Sequence, residues 1–337
     1  MAIIDPIEGF FIVTNEGLIF EVKGNVQPKD RIIAYLRYIP DEKGNRISNN
    51  GMKYRKVYEF AEREEFLRQY YPQYLWNSEI HGRVIQAVPV DSIAFVLNPV
   101  DSMRQMRNMK HQMSQSQNAA RELAEILVET ADIDWSSIGI TGSHLVGLET
   151  SASDIDLVVY GSFSARKLYS RLHTGHTIPS IMKYRGEQLE KHLRFRWARL
   201  PKWMTKLRKI ESEKCLQGLF SSYEFYIRAV KLPNEMDWSF YDLFFESKGE
   251  HVVEGRVLSD LDSIFTPCVY SIECVEFADL QYLVSYRGRF AEHVKKGMKI
   301  QAKGMLEMVM DNSGKKYMQL VLGERPSDYL VPLSKQI

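Results

Sequence analysis

The sequence predicts an α+β protein in which a mixed sheet with helices is flanked by a β-rich amino-terminal region and a small carboxy-terminal β-barrel. Three observations lead there. Short apolar runs separated by turn residues fill the first hundred positions, helix-forming stretches begin at Asp101, and short alternating runs return after about Gly255. The expected domains are therefore 1–100, 101–254 and 255–337, and 337 residues have room for two or three of them.

Gly9 to Val22 reads as two strands around the turn Asn15-Glu16-Gly17, followed by a strand at Ile32 to Tyr38. Asp41 to Gly51 gathers Asp, Gly, Asn and Ser and reads as an exposed loop. Ala61 to Tyr70 predicts a helix, and Val84 to Leu97 predicts strand structure around Pro89. Asp101 to Thr130 is helical, with Met106, Met109 and Met113 and then Leu123, Ile126 and Leu127 spaced as a core-facing stripe. After Gly255 the expected strands are Val269 to Phe277, Tyr282 to Tyr286, Lys299 to Val309 and Tyr317 to Leu322. Asp311 to Gly314 reads as a hairpin turn between the last two, and the whole is comparable to an OB-type barrel.

The chain is 45% hydrophobic and 26% charged, a composition that folds. Its 44 basic and 43 acidic residues leave a net charge of +1, which excludes a protein that coats nucleic acid over its whole surface. A polyanion would have to meet a local patch. Cys215, Cys268 and Cys274 form neither a CxxC pair nor a secreted framework, so a reducing cytoplasm is the expected compartment. Met1 to Val13 carries Asp5 and Glu8 with no preceding basic region and does not read as a signal peptide. No apolar run approaches the roughly 18 residues of a membrane span, so no membrane partner is expected.

The chemistry is concentrated between Ile138 and Tyr160. Ile138 to Thr141 reads as a strand, Gly142-Ser143 follows at once, and ten residues later comes Asp154-Ile155-Asp156-Leu157. Alternation on a strand puts Asp154 and Asp156 on one face and Ile155, Leu157 and Val159 on the other. Two adjacent carboxylates repel unless a cation compensates them, and hard oxygen donors suit Mg²⁺ or Mn²⁺. Gly lets a backbone approach a phosphate, Ser offers a hydroxyl, and a helix starting there would point free N–H groups at an anion.

This combination of Gly142-Ser143, a ten-residue spacer holding Gly147 and Ser153, and Asp154-x-Asp156 resembles the DNA polymerase beta superfamily of nucleotidyltransferases. The layout with β-rich flanks is similar to an archaeal family of predicted nucleotidyltransferases. The resemblance covers about 20 residues, and His144 stands where members often carry a basic residue. It implies a nucleotidyltransferase-type mixed sheet at about 110 to 250 and a nucleoside triphosphate as ATP-like donor, bound at Gly142 and Ser143. It further implies two Mg²⁺ or Mn²⁺ ions on Asp154, Asp156 and a third carboxylate, and transfer of a nucleoside monophosphate to a hydroxyl with release of pyrophosphate.

For the third ligand the sequence points to Asp242, on a strand Phe240 to Phe245 expected to pair with Phe225 to Lys231, with Asp237 and Glu254 as fallbacks. Arg228, a cation inside the apolar strand Phe225 to Lys231, is expected either at the nucleotide phosphates or paired with a carboxylate. Lys183 to Lys214 holds eleven Lys or Arg against four Asp or Glu, interleaved with Tyr184, Phe195, Trp197 and Trp203. It reads equally as a strip for RNA or another polyanionic acceptor and as two amphipathic helices with buried aromatics. Tyr286, Arg287, Arg289 and Phe290 are a possible nucleic-acid contact of the tail. His173-Thr174-Gly175-His176 reads as loop polarity rather than a metal site. A P-loop GxxxxGK[ST] and a GxGxxG are both absent. The competing reading is a non-catalytic nucleic-acid-binding protein on the same fold.

Overall fold

A computed structural model describes residues 6–109, 113–174, 178 and 180–333. It shows a mixed α and β protein with several sheets, divided into two compact units. The first comprises Met1–Glu79, Arg83–His176 and Phe220–Phe240, and the second Ile80–Gly82, Thr177–Leu219 and Tyr241–Ile337.

In the first unit the hairpin expected around Gly17 forms between Phe11–Thr14 and Ile19–Val22. It belongs to an eight-stranded sheet in which Arg31–Pro40 is the hub, pairing with Ile19–Val22, Lys53–Lys56 and Arg83–Pro89. Residues of Arg31–Pro40 alternate between buried and half-exposed, as a strand with one core face requires. The segment read as an exposed loop carries a two-residue strand, Arg46–Ile47, paired with Lys53–Lys56.

The expected long helix is two helices, Pro99–Asn108 and Gln115–Ala131. Asn98 caps the first, and a reciprocal Ser114–Gln117 capping box starts the second. Leu123 and Leu127 face the core as expected, whereas Met109 follows the end of the first helix and is exposed. The first helix crosses Ile138–Ile140 so closely that a Cβ on Gly139 would come within 2.6 Å of Pro99.

A mixed sheet forms on this layer. Ile155–Tyr160 pairs antiparallel with Ile138–Ile140 and parallel with Tyr223–Val230. Val158, Tyr160 and Val230 share a buried cluster with Ile12, Phe20 and Leu36 of the amino-terminal sheet, so one core supports both. Thr141 Oγ1 donates to the Gly9 carbonyl (2.6 Å) and the Tyr160 hydroxyl to the Glu8 carbonyl (3.0 Å), fixing the first turn of the chain to this sheet.

In the second unit the twenty-residue strand Leu243–Asp262 pairs with Lys299–Asp311 and, through its later half, with Cys268–Cys274. Pairing continues from Cys268–Cys274 to Leu280–Ser285, then in parallel to Lys316–Val321, and back to Lys299–Asp311. The hairpin turn expected at Asp311 to Gly314 is present, with Asp311 Oδ1 accepting from the Ser313 and Lys315 amides. These pairings correct one expectation. Phe240–Asp242 is a 3₁₀ turn, and the strand after it joins Lys299–Asp311 instead of Phe225 to Lys231. A hairpin around Pro233 loses to a register of thirteen residue pairs that alternation along one segment does not reveal.

The basic stretch is two helices, Gly186–Trp197 and Met204–Glu213, separated by a 3₁₀ turn at Pro201–Trp203. Tyr184 and Trp197 are buried in the core of this unit, and Trp203 packs on Tyr329 with ring centroids 5.3 Å apart. Phe195 alone of the four named aromatics stands out, 83% exposed. Phe290 is buried as well, and the Arg289 guanidinium lies over Trp197, so this pair serves packing. Among the described residues no helix is long and apolar enough to cross a membrane.

Candidate active site

The Gly-Ser turn and the Asp pair meet. The Thr141 amide donates to the Asp156 carbonyl (2.9 Å), which brings the next residue, Gly142, over the Asp156 side chain. Gly142 has φ +65°, and a Cβ there would overlap Asp156 Oδ2 and lie 3.0 Å from its Cγ. Glycine is thus required for both the conformation and the space. Gly142→Ala is expected to cost about 2–3 kcal/mol by displacing Asp156, against about 1 kcal/mol for Gly297→Ala. Gly297 shares the positive φ but has no atom within 4 Å of a Cβ, so equal losses in thermal melts would show that the contact with Asp156 is immaterial.

Asp154 is exposed at the head of the strand and Asp156 is half-buried within it. Burial raises the Asp156 carboxyl above its usual range, Arg228, Lys56 and Arg37 pull it back, and Glu21 adds to the rise. A carboxylate kept ionised here costs folding energy that a cation would offset. Asp156→Asn is therefore expected to stabilise the metal-free protein by about 1 kcal/mol, a gain of roughly 2–4 °C in a chelated thermal melt.

The positive groups come from the amino-terminal sheet: Arg37 from Arg31–Pro40 and Lys56 from Lys53–Lys56. Between them lies Tyr38, whose hydroxyl burial pushes up to about 12. Arg37 Nε pairs with Glu21 Oε2 (3.1 Å), while Lys56 Nζ stands 4.9 Å from the Tyr58 ring centroid.

Arg228 takes the second of its two expected fates. It pairs with Glu8 and with Glu21 (2.9 Å), and Lys23 bridges the same two carboxylates at 3.1 and 2.7 Å. Burial alone would raise Glu21, but Lys23, Arg37 and Arg228 hold it well below its ordinary value. Burial opposes the Arg228 charge, and Glu8 and Glu21 hold it protonated. Arg228 thus acts on Asp156 through its field while its hydrogen bonds go to glutamates.

Gly142–Leu145 is a helix of a single turn. Ser143 and His144 are buried, and burial lowers His144 to about 4, so at neutral pH the position offers an uncharged imidazole in place of a cation. The spacer to the Asp pair is pinned: Arg46 Nη1 donates to the Leu148 carbonyl (2.9 Å) and Ser153 Oγ (3.1 Å), and Ser153 Oγ accepts from the Thr150 amide (2.9 Å).

Asp242, expected beside the pair, lies in the second unit, in the 3₁₀ turn Phe240–Asp242, where it accepts from Asn312 Nδ2 (3.1 Å). The strand that does neighbour the pair is Tyr223–Val230, with Asp156 opposite Tyr226. Continued one step, the register sets Asp154 beside Ile155↔Phe225 and hence opposite Glu224, on the same face as Tyr226 and Arg228. Of the fallbacks, Asp237 is exposed and Glu254 accepts from Gln301 Nε2 (2.8 Å) in the second unit.

Among the described residues no three His, Cys, Asp or Glu side chains are gathered as a finished metal cage. The donor set nevertheless suits a hard divalent ion: a half-buried carboxylate at a raised pKa, an exposed one two residues away, and Glu224 in register on the neighbouring strand. His173 stacks on Tyr169 (5.4 Å), and the remainder of its motif, Gly175 and His176, lies outside the described residues.

The chain is 30% identical over 322 residues to the uncharacterized protein MJ1086 of Methanocaldococcus jannaschii, an alignment covering 93% of this chain and 94% of that protein. No protein-family model and no solved structure matches the chain.

Proposed function

The chain belongs to the family of the uncharacterized protein MJ1086, and we propose that it is a Mg²⁺- or Mn²⁺-dependent nucleotidyltransferase, moving a nucleoside monophosphate from a nucleoside triphosphate to a hydroxyl acceptor. The observation that carries this is the close approach of Gly142 to Asp156, which makes the Gly-Ser turn and the Asp pair one site. Asp154 and Asp156 would hold the metal ions, with Glu224 in the role expected of Asp242. Two bound ions would supply Lewis-acid activation of the acceptor oxygen and neutralise the departing pyrophosphate.

The remaining chemistry belongs to the chain. Ser143 and the Gly142 backbone offer donors to phosphate oxygens, and Arg37 and Lys56 give the Asp156 face a positive field that favours a polyanion. Arg228, locked between Glu8 and Glu21, keeps that field fixed in direction. Glu224, at the strand head, is suited to take the proton of an acceptor hydroxyl.

The pairing circuit of the second unit supports a small closed barrel of the OB kind: Leu243–Asp262, Cys268–Cys274, Leu280–Ser285, Lys316–Val321, Lys299–Asp311 and back. The exposed basic helix of that unit favours a second reading, a non-catalytic nucleic-acid-binding protein. Mn²⁺ titration by calorimetry separates the two. The transfer reading expects a site lost in Asp154→Ala, weakened in Glu224→Gln and retained in Asp242→Asn; unchanged Mn²⁺ binding by Asp154→Ala contradicts it.

A further inference from the structure

We propose that the outer face of the helix Gly186–Trp197, with the turn that follows it, binds single-stranded RNA on a platform made by Phe195. The inner face is committed to structure. Leu189, Leu193 and Trp197 are buried in the core, and His192 and Trp197 both bond Glu211 at 3.0 Å. Opposite them, Gln188, Lys191 and Phe195 follow one another at three- and four-residue steps on the helix, and Ala198, Arg199 and Lys202 come in the turn after it, all exposed. Arg194, also exposed, adjoins Phe195.

The pattern selects its occupant. Phe195 is 83% exposed, with Arg194 next to it in the chain, Lys191 one helical turn before it, and Arg199 and Lys202 exposed in the segment that follows the helix. An aromatic ring raised on a convex helix face can stack on an unpaired base, whereas the bases of a duplex are stacked inside it. Residues four apart on a helix stand about 5–6 Å from one another, so Lys191 flanks the ring, and the exposed cations after Trp197 continue the positive strip along which the phosphates of a short strand would run. The helix's two glutamates do not oppose this: Glu187 lies in its first turn and Glu190 pairs with Arg208 (2.8 Å). One aromatic among four charges is a poor membrane-inserting face, which needs a continuous apolar stripe. Gln188, one turn before Lys191, offers an amide donor and acceptor to a ribose 2′-hydroxyl, a group DNA lacks.

This inference rests on the transfer reading only in taking the bound strand as acceptor. Measuring binding in EDTA lets either fail without the other. The probe is a fluorescein-labelled oligouridine of about twelve nucleotides, read by anisotropy with the full chain. Phe195→Ala is expected to weaken binding about tenfold without shifting the thermal melt. Arg194→Gln with Arg199→Gln is expected to reduce the slope of log affinity against log salt by about 1.4, two phosphate contacts on a single strand. Undiminished affinity in Phe195→Ala, equal affinity for oligodeoxyuridine of the same length, or preference for phosphatidylserine vesicles over the RNA would each overturn the proposal.

Discussion

Asp156→Ala is expected to lower metal-dependent transfer of label from an α-³²P nucleoside triphosphate by about a thousandfold or more, the scale on which loss of a central electrostatic group acts. The effect should exceed that of Asp154→Ala. Asp156 is the carboxylate set under Gly142 and within the combined field of Arg37, Lys56 and Arg228, while Asp154 is exposed at the head of the strand. The same removal relieves a partly desolvated charge, so the inactive variant should melt no lower than wild type in chelated buffer. Loss of activity together with loss of stability would instead mark Asp156 as a structural residue.

Glu211→Ala is expected to be the most damaging substitution for the fold, by about 3–5 kcal/mol. The carboxylate is buried and accepts from Trp197 Nε1 (3.0 Å), Lys214 Nζ (2.9 Å) and Gln217 Nε2 (2.6 Å), with His192 Nε2 at 3.0 Å. Removing it leaves the Lys214 ammonium buried against the Arg289 carbonyl (2.6 Å) without its nearest carboxylate. Denaturant unfolding should show the loss, and adding Lys214→Met should recover part of it, since replacing both partners by apolar groups removes the uncompensated charge. A double variant less stable than Glu211→Ala would contradict this. The network also fixes a pH dependence. Burial opposes the Glu211 charge, but Lys214, His192 and Arg196 hold the carboxyl well below its unfolded value of 4.5. Its stabilisation is therefore complete above about pH 4.5 and is lost as pH falls through the lower folded value.

What the sequence disclosed was local. The Gly17 and Gly314 turns, the strand–Gly-Ser–strand order and the break near Pro201 each depend on residues within a few positions of one another. Pairing across distance was not legible. Nothing in Phe225 to Lys231 announces a parallel partner in Ile155–Tyr160, and nothing in Leu243–Asp262 names Lys299–Asp311. The pairing expected for Phe240 to Phe245 failed, and the register of Glu224 opposite Asp154 went unseen, because of that one gap.

The charged support of the site did leave a trace. Glu8, Glu21 and Arg228 each interrupt an apolar run, and a charge in such a place calls for a partner of opposite sign. Arg37 and Lys56 left none, because a cation on the half-exposed face of a strand is ordinary until the facing element is known. In the basic helices the reading as two amphipathic helices with buried aromatics holds for three of the four: hydrophobic burial took Tyr184 and Trp197, Trp203 packs on Tyr329, and Phe195 stands exposed.

The most direct test is incorporation by the wild-type chain of label from each of the four α-³²P nucleoside triphosphates, with Mg²⁺ or Mn²⁺ and short RNA. Pyrophosphate release is measured in the same tubes. The account predicts acid-stable label in equal amount to pyrophosphate for at least one nucleotide, abolished by EDTA and by Asp156→Ala. Label or pyrophosphate that persists undiminished in Asp156→Ala, or no transfer from any of the four, would contradict it.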